Sequence, residues 1–393
     1  MNREMKNHSF SDVITDVTSK FNKVQTSEYL KTGQFAIVDQ GKNQVAGYTN
    51  NESLVNSTLI PIIIFGDHTK ILKFVLKPIA LGADGAKALL VNPKIAYGKY
   101  IYYFLKTVKI KDAGYSRHFK FLKDIHIPIP FNGGKPDIDD QIRIATLLSK
   151  VENLIFRRRE QLKQLDELLK SVFLDMFSDP VRNEKGWKRV TIRDLISEAK
   201  YGTSKSAEGG RYKYLRMNNI STNGFWDFTS LKYIDINDYE VSKYSLVRND
   251  LVFNRTNSKE LVGKTAVYAS DEKVIIAGYL IRVRTKPEAN PWYIWGYLNS
   301  KAGKLRLFNL CRNIVGMANI NAQKLQDIPI LKPPIELQNQ FEAIISKVES
   351  LRDRYTQSLT NMESLYGTLS QKAFKGELDL SQVQVVEEGE PET

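Results

Sequence analysis

Between Leu148 and Met176 the apolar positions fall three and four residues apart in strict alternation: Leu148, Val151, Ile155, Leu162, Leu165, Leu169, Val172 and Met176, interrupted only at Arg158. That spacing lays one stripe along a helix and predicts a coiled-coil seam. Moving 197 residues along the chain gives a second stripe, Ile345, Val348, Leu359, Met362 and Leu369, with Tyr355, Tyr366 and Ala373 in step and Arg352 as its own polar interruption. A seam this long needs a partner, and the chain supplies one. The first helix is predicted to begin near Ile138, behind the capping residues Asp137, Asp139 and Asp140, and to stop at Phe177 before Asp179-Pro180. Forty residues at 1.5 Å each give roughly 60 Å. The second helix follows Pro333-Pro334 and ends near Lys375-Gly376. Leu154, Leu168, Phe173 and Phe177 widen the first apolar face beyond a bare seam, which predicts more than one neighbour. Arg157-Arg158-Arg159 reads as a solvated face. The seam arginines, Arg158 and Arg352, either fix register or snorkel outward.

The segments before and between these helices carry short β-branched and aromatic runs punctuated by Gly, Asn and Asp. LIPIIIF (59–65), ILKFVL (71–76) and YIYYFL (100–105) read as strands with occasional short helices, and PWYIWGYLNS (291–300) as a partly buried helix. The boundary phrases recur: Leu122-Lys123-Asp124-Ile125 matches Leu325-Gln326-Asp327-Ile328, and Ser149-Lys150-Val151-Glu152 matches Ser346-Lys347-Val348-Glu349. The expected fold is α+β, a pseudo-twofold repeat of domain, helix, domain, helix. The boundaries are 1–135, 136–178, 179–332 and 333–376, followed by an acidic tail, 377–393, too polar to order.

The net charge of +13 matters through its distribution. Residues 1–138 carry +8 and 179–334 carry +11, whereas 139–178 and 335–376 are neutral. Basic segments and neutral helices suit segments that touch nucleic acid and helices that touch protein. No apolar run approaches the ~18–20 residues of a membrane span, and the N-terminal MNREMKNHSFSD lacks an apolar core, so no signal peptide and a cytoplasmic protein are expected. A single cysteine, Cys311, leaves no intramolecular disulfide or cysteine-based zinc site.

Catalytic chemistry is hard to find. Asn290-Pro291-Trp292-Tyr293 resembles the catalytic loop of adenine methyltransferases, but Trp292 replaces its second proline and no glycine-rich cofactor turn accompanies it; a helix start is the better reading. Asp250 with Asp271-Glu272-Lys273 is too loosely spaced for a nuclease centre, and Phe131 to Lys135 lacks a phosphate loop's Ser or Thr. The four histidines show no metal-ligand spacing, so no metal is expected. What the loops do hold is donors and acceptors suited to base edges and phosphates. Such clusters occur at 38–49, 65–69, 81–87 and 115–121 in the first segment. In the second, Asn254, Arg255, Thr256, Asn257 and Ser258 follow an apolar strand.

Taken together, YSRHFKFLKDIHIPIP before the first helix, LLSKVENLIFRRREQLKQLDELLKSVFLDMFSDP through it, and NDLVFNRTNSKELVGKTAVY with GMANINAQKLQDIPILKPP in the second half resemble the specificity subunit of Type I restriction-modification enzymes. The resemblance covers nearly the whole chain. It implies two α/β target-recognition domains, each reading one part of a split, asymmetric site on double-stranded DNA, joined by two long antiparallel coiled-coil helices that act as a ruler. It further implies two modification methyltransferase subunits docked on this frame, which bring S-adenosylmethionine, and translocating restriction subunits around them. No cofactor and no catalysis belong to this chain itself on that reading. The DNA-facing candidates it implies are Gln40, Gly41, Tyr48, Thr49, Asp67, His68, Thr69, Tyr115, Ser116, Arg117 and His118 in the first domain. In the second they are Tyr201, Gly202, Thr203, Ser204, Lys205, Arg216, Asn218, Asn219, Lys264, Met317 and Asn319, with the 254–258 cluster. Two readings compete with it: a self-contained DNA-modifying or DNA-cleaving enzyme, and a coiled-coil adaptor that does not touch nucleic acid.

Overall fold

The computed structural model describes residues 3–82, 85–111, 117–314 and 317–385. Both long helices are present, Ile138–Phe177 and Ile335–Lys375. The cap of the first is the one its sequence proposes, with Asp137 Oδ1 accepting from Asp140 N at 3.0 Å. Gly376, at φ +75°, closes the second in a conformation that disfavours a Cβ. The helices do not stand apart as domains of their own. Contacts divide the chain into Met1–Arg159 with Gln357–Thr393, and Glu160–Thr356, so each unit combines one sequence segment with half of each helix.

In the first unit, Glu4–Ser9 pairs antiparallel with His126–Asn132. An antiparallel sheet follows in the order Ile14–Asp16, Ala86–Val91, Ile62–Gly66, Leu72–Val75. All five residues of Ile62–Gly66 are buried, which is why this run shows no polar alternation. Of the runs read as strands with occasional short helices, 100–105 is one that lies in a helix, Gly98–Thr107. Tyr100, Ile101, Tyr103, Phe104 and Leu105 are the buried set, a helical face whose packing overrides the β preference of Tyr and Ile. Phe374 of the second long helix sits edge-on to Tyr100 and Phe104, with ring centres 5.3 and 5.4 Å away. Leu148, Ile144 and Ala373 complete this contact. The tail also departs from expectation. Among residues 377–385, Leu378 and Leu380 are buried in the same core, so apolar anchors hold a segment that its charge alone suggested was disordered.

The second unit repeats this order. Lys188–Thr191 pairs with Pro329–Lys332, and the sheet runs Ile196–Tyr201, Leu280–Thr285, Leu251–Asn254, Thr265–Val267. Asn290 caps the helix Pro291–Asn299, its Oδ1 accepting from Trp292 N at 2.9 Å, so the Asn-Pro pair is a helix start. Phe173, Phe177, Phe341 and Tyr293 form one aromatic knot, with Phe177 4.8 Å from Tyr293 and 5.5 Å from Phe341. Of the residues expected to widen the first helix's face, Phe173 and Phe177 are thus buried, whereas Leu154 and Leu168 are exposed. Seam positions Leu165, Leu169, Ile345 and Val348 are buried here, with Leu162, Val172 and Met176 half-buried. In the first unit Leu148, Val151 and Ile155 are buried and Leu359, Met362 and Leu369 half-buried. Arg352 does not snorkel: it pairs with Asp166 across the two helices and lies 4.1 Å over the Phe225 ring.

The repeat extends into the short helices, where Tyr100-Ile101 and Leu105 recur as Tyr293-Ile294 and Leu298. Differences between the copies are informative. In the first unit Glu152 pairs with Lys106 and accepts from Tyr103 Oη at 3.0 Å. In the second, the matching positions are Glu349, Asn299 and Gly296, and the ammonium and phenol are missing from them. Burial then pushes the half-buried Glu349 carboxyl up to about 7, Arg352 lowering it and Asp353 raising it. A carboxyl with a raised folded pKa destabilises the fold as it ionises. The penalty is absent well below pH 4.5, where both states hold the proton, grows as pH rises, and is full above about 7. Glu349→Gln is therefore expected to gain stability over the parent as pH rises from 4.5 to 7, with little difference well below pH 4.5; urea unfolding across that range measures it, and a pH-independent difference refutes it.

Candidate nucleic-acid interface

In the second unit the sheet edge, the turn after Tyr201 and the strand Met317–Asn319 enclose an open groove of about 700 Å³. Its wall contains Thr203, Ser204, Lys205, Arg216, Asn218, Arg255, Thr256, Met317 and Asn319. Nine sequence candidates scattered over more than a hundred residues thus share one concavity. They meet because Thr256-Asn257 pairs with Met317–Asn319 in register, Thr256 opposite Asn319, directly after the strand Leu251–Asn254. Gly202 makes the closure possible: a Cβ there would lie 2.2 Å from the Ile276 carbonyl oxygen.

Arg255 is the best-formed element of the groove. Its guanidinium lies 4.8 Å over the Tyr201 ring, and Nη2 donates to Asn319 Oδ1 at 3.4 Å. Tyr201 Oη in turn accepts from Ala322 N at 2.9 Å. Stacked below and steered at one side, this guanidinium is pre-positioned as a planar donor fork, the geometry suited to guanine or phosphate. Lys205 is held by Glu240 at 2.8 Å, and Arg216 donates to Ser230 O at 3.1 Å.

Four candidates in this unit face inward. Asn254 is fully buried and its Oδ1 accepts from Thr256 N at 3.3 Å; Asn219 holds the turn below, donating to Asp227 O at 2.9 Å and Ser230 O at 3.1 Å. Thr256 lines the groove but is almost wholly buried. Lys264 is also buried and donates to the carbonyls of Met217, at 2.9 Å, and Ile220. Burial lowers its pKa, against the pull of Asp227. Asn254, Asn219 and Lys264 are therefore corrected from DNA-facing to supporting positions, because they are buried and Asn254 Oδ1, Asn219 Nδ2 and Lys264 Nζ are used on backbone groups. Asn257 and Ser258 are half-buried beside the groove, Asn257 Oδ1 accepting from Ser258 N at 2.9 Å. The sequence reading missed Lys232 and Tyr279, which also line the groove. Tyr279 is 56% exposed on its lip, carried by a Gly-Tyr turn indistinguishable in sequence from an ordinary one.

The first unit gathers fewer candidates. Gln40 Oε1 accepts from His68 N at 3.2 Å, and Thr69 Oγ1 donates to Gln40 O at 2.6 Å, so the loop with Gly41 and the turn with His68 and Thr69 share one corner. Arg117 is exposed next to it, since His118 N donates to Asp67 O at 2.8 Å. Asp67 and His118 themselves are buried, Asp67 Oδ1 accepting from Phe119 N at 2.7 Å, and they are corrected to supports of this corner. Tyr48 and Thr49 pair with Ala36 and Phe35, at the start of a strand whose other end leads to Gln40, and do not join it. Tyr115 and Ser116 lie outside the described residues. Here too a lysine acts from beneath: Lys73, 2% exposed, donates to Asn43 O and lies 3.7 Å from Asp39. Burial lowers its pKa against the influence of Asp39.

The acidic residues that raised the nuclease question are engaged elsewhere. Asp250 binds Arg284 at 2.8 Å, Asp271 binds Arg248 at 2.7 Å and Glu272 binds Lys213 at 2.7 Å. Among the described residues no group of three or more His, Cys, Asp or Glu is placed to hold a metal, and no helix is long and apolar enough to cross a membrane.

Residues 184–361 match the family described as Type I restriction modification DNA specificity domain. The chain is 24% identical over 272 residues to the Type I restriction enzyme EcoKI specificity subunit of Escherichia coli K12, covering 65% of this chain and 58% of that protein. It is 24% identical over 278 residues to the StySPI specificity subunit of Salmonella potsdam, with the same coverage. It therefore spans less than two thirds of these relatives. Among solved structures, the S subunit of a Type I restriction-modification system from M. genitalium has the same fold, at TM-score 0.59, 15% identity and coverage of 95% of this chain and 96% of that one. A structure from work on complex assembly and conformational transition of the type I R-M system matches at TM-score 0.53, also with 15% identity, covering 95% of this chain and 98% of that one.

Lys264 offers a test of the groove's architecture. Replacing it by Met leaves two buried carbonyls unpaired, and the expected loss is about 1–3 kcal/mol in urea unfolding; an unchanged midpoint means that the ammonium does not hold the 217–220 turn.

Proposed function

We propose that this chain, whose residues 184–361 belong to the Type I restriction-modification DNA specificity family, is the DNA-reading and non-catalytic subunit of such a system. Each unit reads one half of a bipartite, asymmetric duplex site, the second through the Arg255 groove and the first through the corner of Gln40, His68, Thr69 and Arg117. The observation that carries this reading is the groove itself, where Arg255, Arg216, Lys205 and Lys232 converge with Asn218 and Asn319. Such a set combines phosphate neutralisation with base-edge donors and acceptors.

The neutral long helices serve as spacer and frame. Two modification methyltransferase subunits dock on them, bringing S-adenosylmethionine and the chemistry, and restriction subunits join that core. The exposed Leu154, Phe156, Leu168 and Leu174 on the first helix are apolar side chains available to such a partner.

Arg255→Ala is expected to relax base preference at one position of one half-site and to cost about 1–3 kcal/mol there, leaving the other half-site unchanged. Duplex-binding assays on single-base variants of the site, with the methyltransferase present, measure it. Equal weakening at both half-sites identifies a phosphate anchor or a structural residue instead; no duplex binding at all favours a protein adaptor. Inserting four residues, about one turn, into Ile138–Phe177 is expected to change the permitted spacing between half-sites and not their sequences. Unchanged spacing sinks the ruler.

A further inference from the structure

A second concavity in the Glu160–Thr356 unit has no part in the groove. It lies where the long helices meet the helix Pro291–Asn299, is about 180 Å³ in volume, and has walls of Phe173, Phe225, Trp295 and Phe341. Lys170 and Lys304 line its polar side, together with Asn299. We propose that this recess binds a small organic carboxylate carrying one flat apolar ring.

Size sets the first limit. A ~150 Å³ apolar cavity holds a benzene-sized ring, while sites for cofactor-sized molecules run to ~300–1,000 Å³. One ring with a carboxylate fits here, and a nucleotide or S-adenosylmethionine does not. The aromatic walls offer that ring flat and edge contacts.

Charge sets the second. Lys304 Nζ donates to Gly263 O at 3.4 Å and pairs with no carboxylate among the described residues. Burial and the neighbouring Lys264 and Lys170 ammoniums bring its pKa down to about 8, with no carboxylate among the groups acting on it. The one carboxylate lining the recess, Asp166, is committed to Arg352 and to Asn223 Nδ2. An incoming carboxylate would supply the missing charge. Asn299 adds a third feature. Its Nδ2 donates to Thr265 O and Trp295 O, both at 3.1 Å, which orients the amide and leaves Oδ1 buried without a partner. A ring hydroxyl or amine would satisfy it.

The other copy of the repeat shows how the same place looks when filled. There Lys106, in the position of Asn299, lies over the rings of Tyr102, Tyr103 and Tyr366 at 5.2, 5.7 and 5.9 Å and pairs with Glu152. That unit thus brings its own ammonium, carboxylate and ring. In the second unit Asn299 is too short to reach across and Gly296 replaces Tyr103, while the ammoniums come from other elements and Glu349, in the position of Glu152, is not among the residues that line the recess.

The probe is 3-fluoro-4-hydroxybenzoate, followed by ¹⁹F NMR against the full chain, with its uncharged amide as comparison. Saturable line broadening by the acid is expected, at least about tenfold stronger than by the amide, the factor corresponding to one modest charge interaction. Lys304→Met and Thr222→Trp, the second an exposed rim position, should each abolish it. Melting curves separate loss of the site from loss of the fold, and Thr222→Trp leaves the core untouched. No saturable broadening overturns the proposal. So does equal binding of acid and amide, which describes an unselective apolar hole, or broadening that survives both substitutions, which places the acid elsewhere on a basic surface.

Discussion

A helix with an apolar stripe along its length is not stable alone in water, and everything else in this protein follows from how the two stripes are covered. Each unit solves the problem in the same way, by clasping two helix segments with the short helix of its own α+β domain. In the second unit the closure is the knot of Phe173, Phe177, Phe341 and Tyr293; in the first it is Phe374 against Tyr100 and Phe104. A long aromatic side chain reaches from a helix into a neighbouring domain where a leucine at the seam cannot. The domains are consequently fixed to the helices by ring packing, and the remaining faces of the helices stay free of the domain core.

That arrangement explains which parts of the fold were legible in sequence. The two helices declare themselves because a spacing of three and four over dozens of residues has no other physical meaning, and their caps, Asp137 and Gly376, are local chemistry. Which of the apolar runs is a helix is not legible at Gly98–Thr107, since Tyr and Ile favour strands and only the long helix packed on it decides. Leu378 and Leu380 were hidden by the acidic composition around them. Two isolated leucines carry no periodicity, and their anchoring depends on a core assembled from the opposite end of the chain.

The candidate interface was half legible for a similar reason. Composition singled out loops rich in Asn, Arg, Thr and Gly, and nine of those residues do line one groove. Composition does not say which way a side chain points. Asn254, Asn219, Lys264, Asp67 and His118 have the same chemistry as their outward neighbours, yet backbone partners hold them inside. Conversely, Tyr279 and Lys232 reach the groove through strand pairing between distant segments, a relation with no local signature.

The two buried lysines have a consequence for how such a protein changes over time. Lys73 grips Asn43 O, and Lys264 grips the carbonyls of Met217 and Ile220. Each anchors a surface loop from underneath, and each does so through the main chain. A carbonyl is present whatever side chain the codon specifies, so the loop keeps its shape when its outward residues are exchanged. Tolerance of variation is thereby directed to the outward side chains of these loops, whose exchange leaves the main-chain anchor in place.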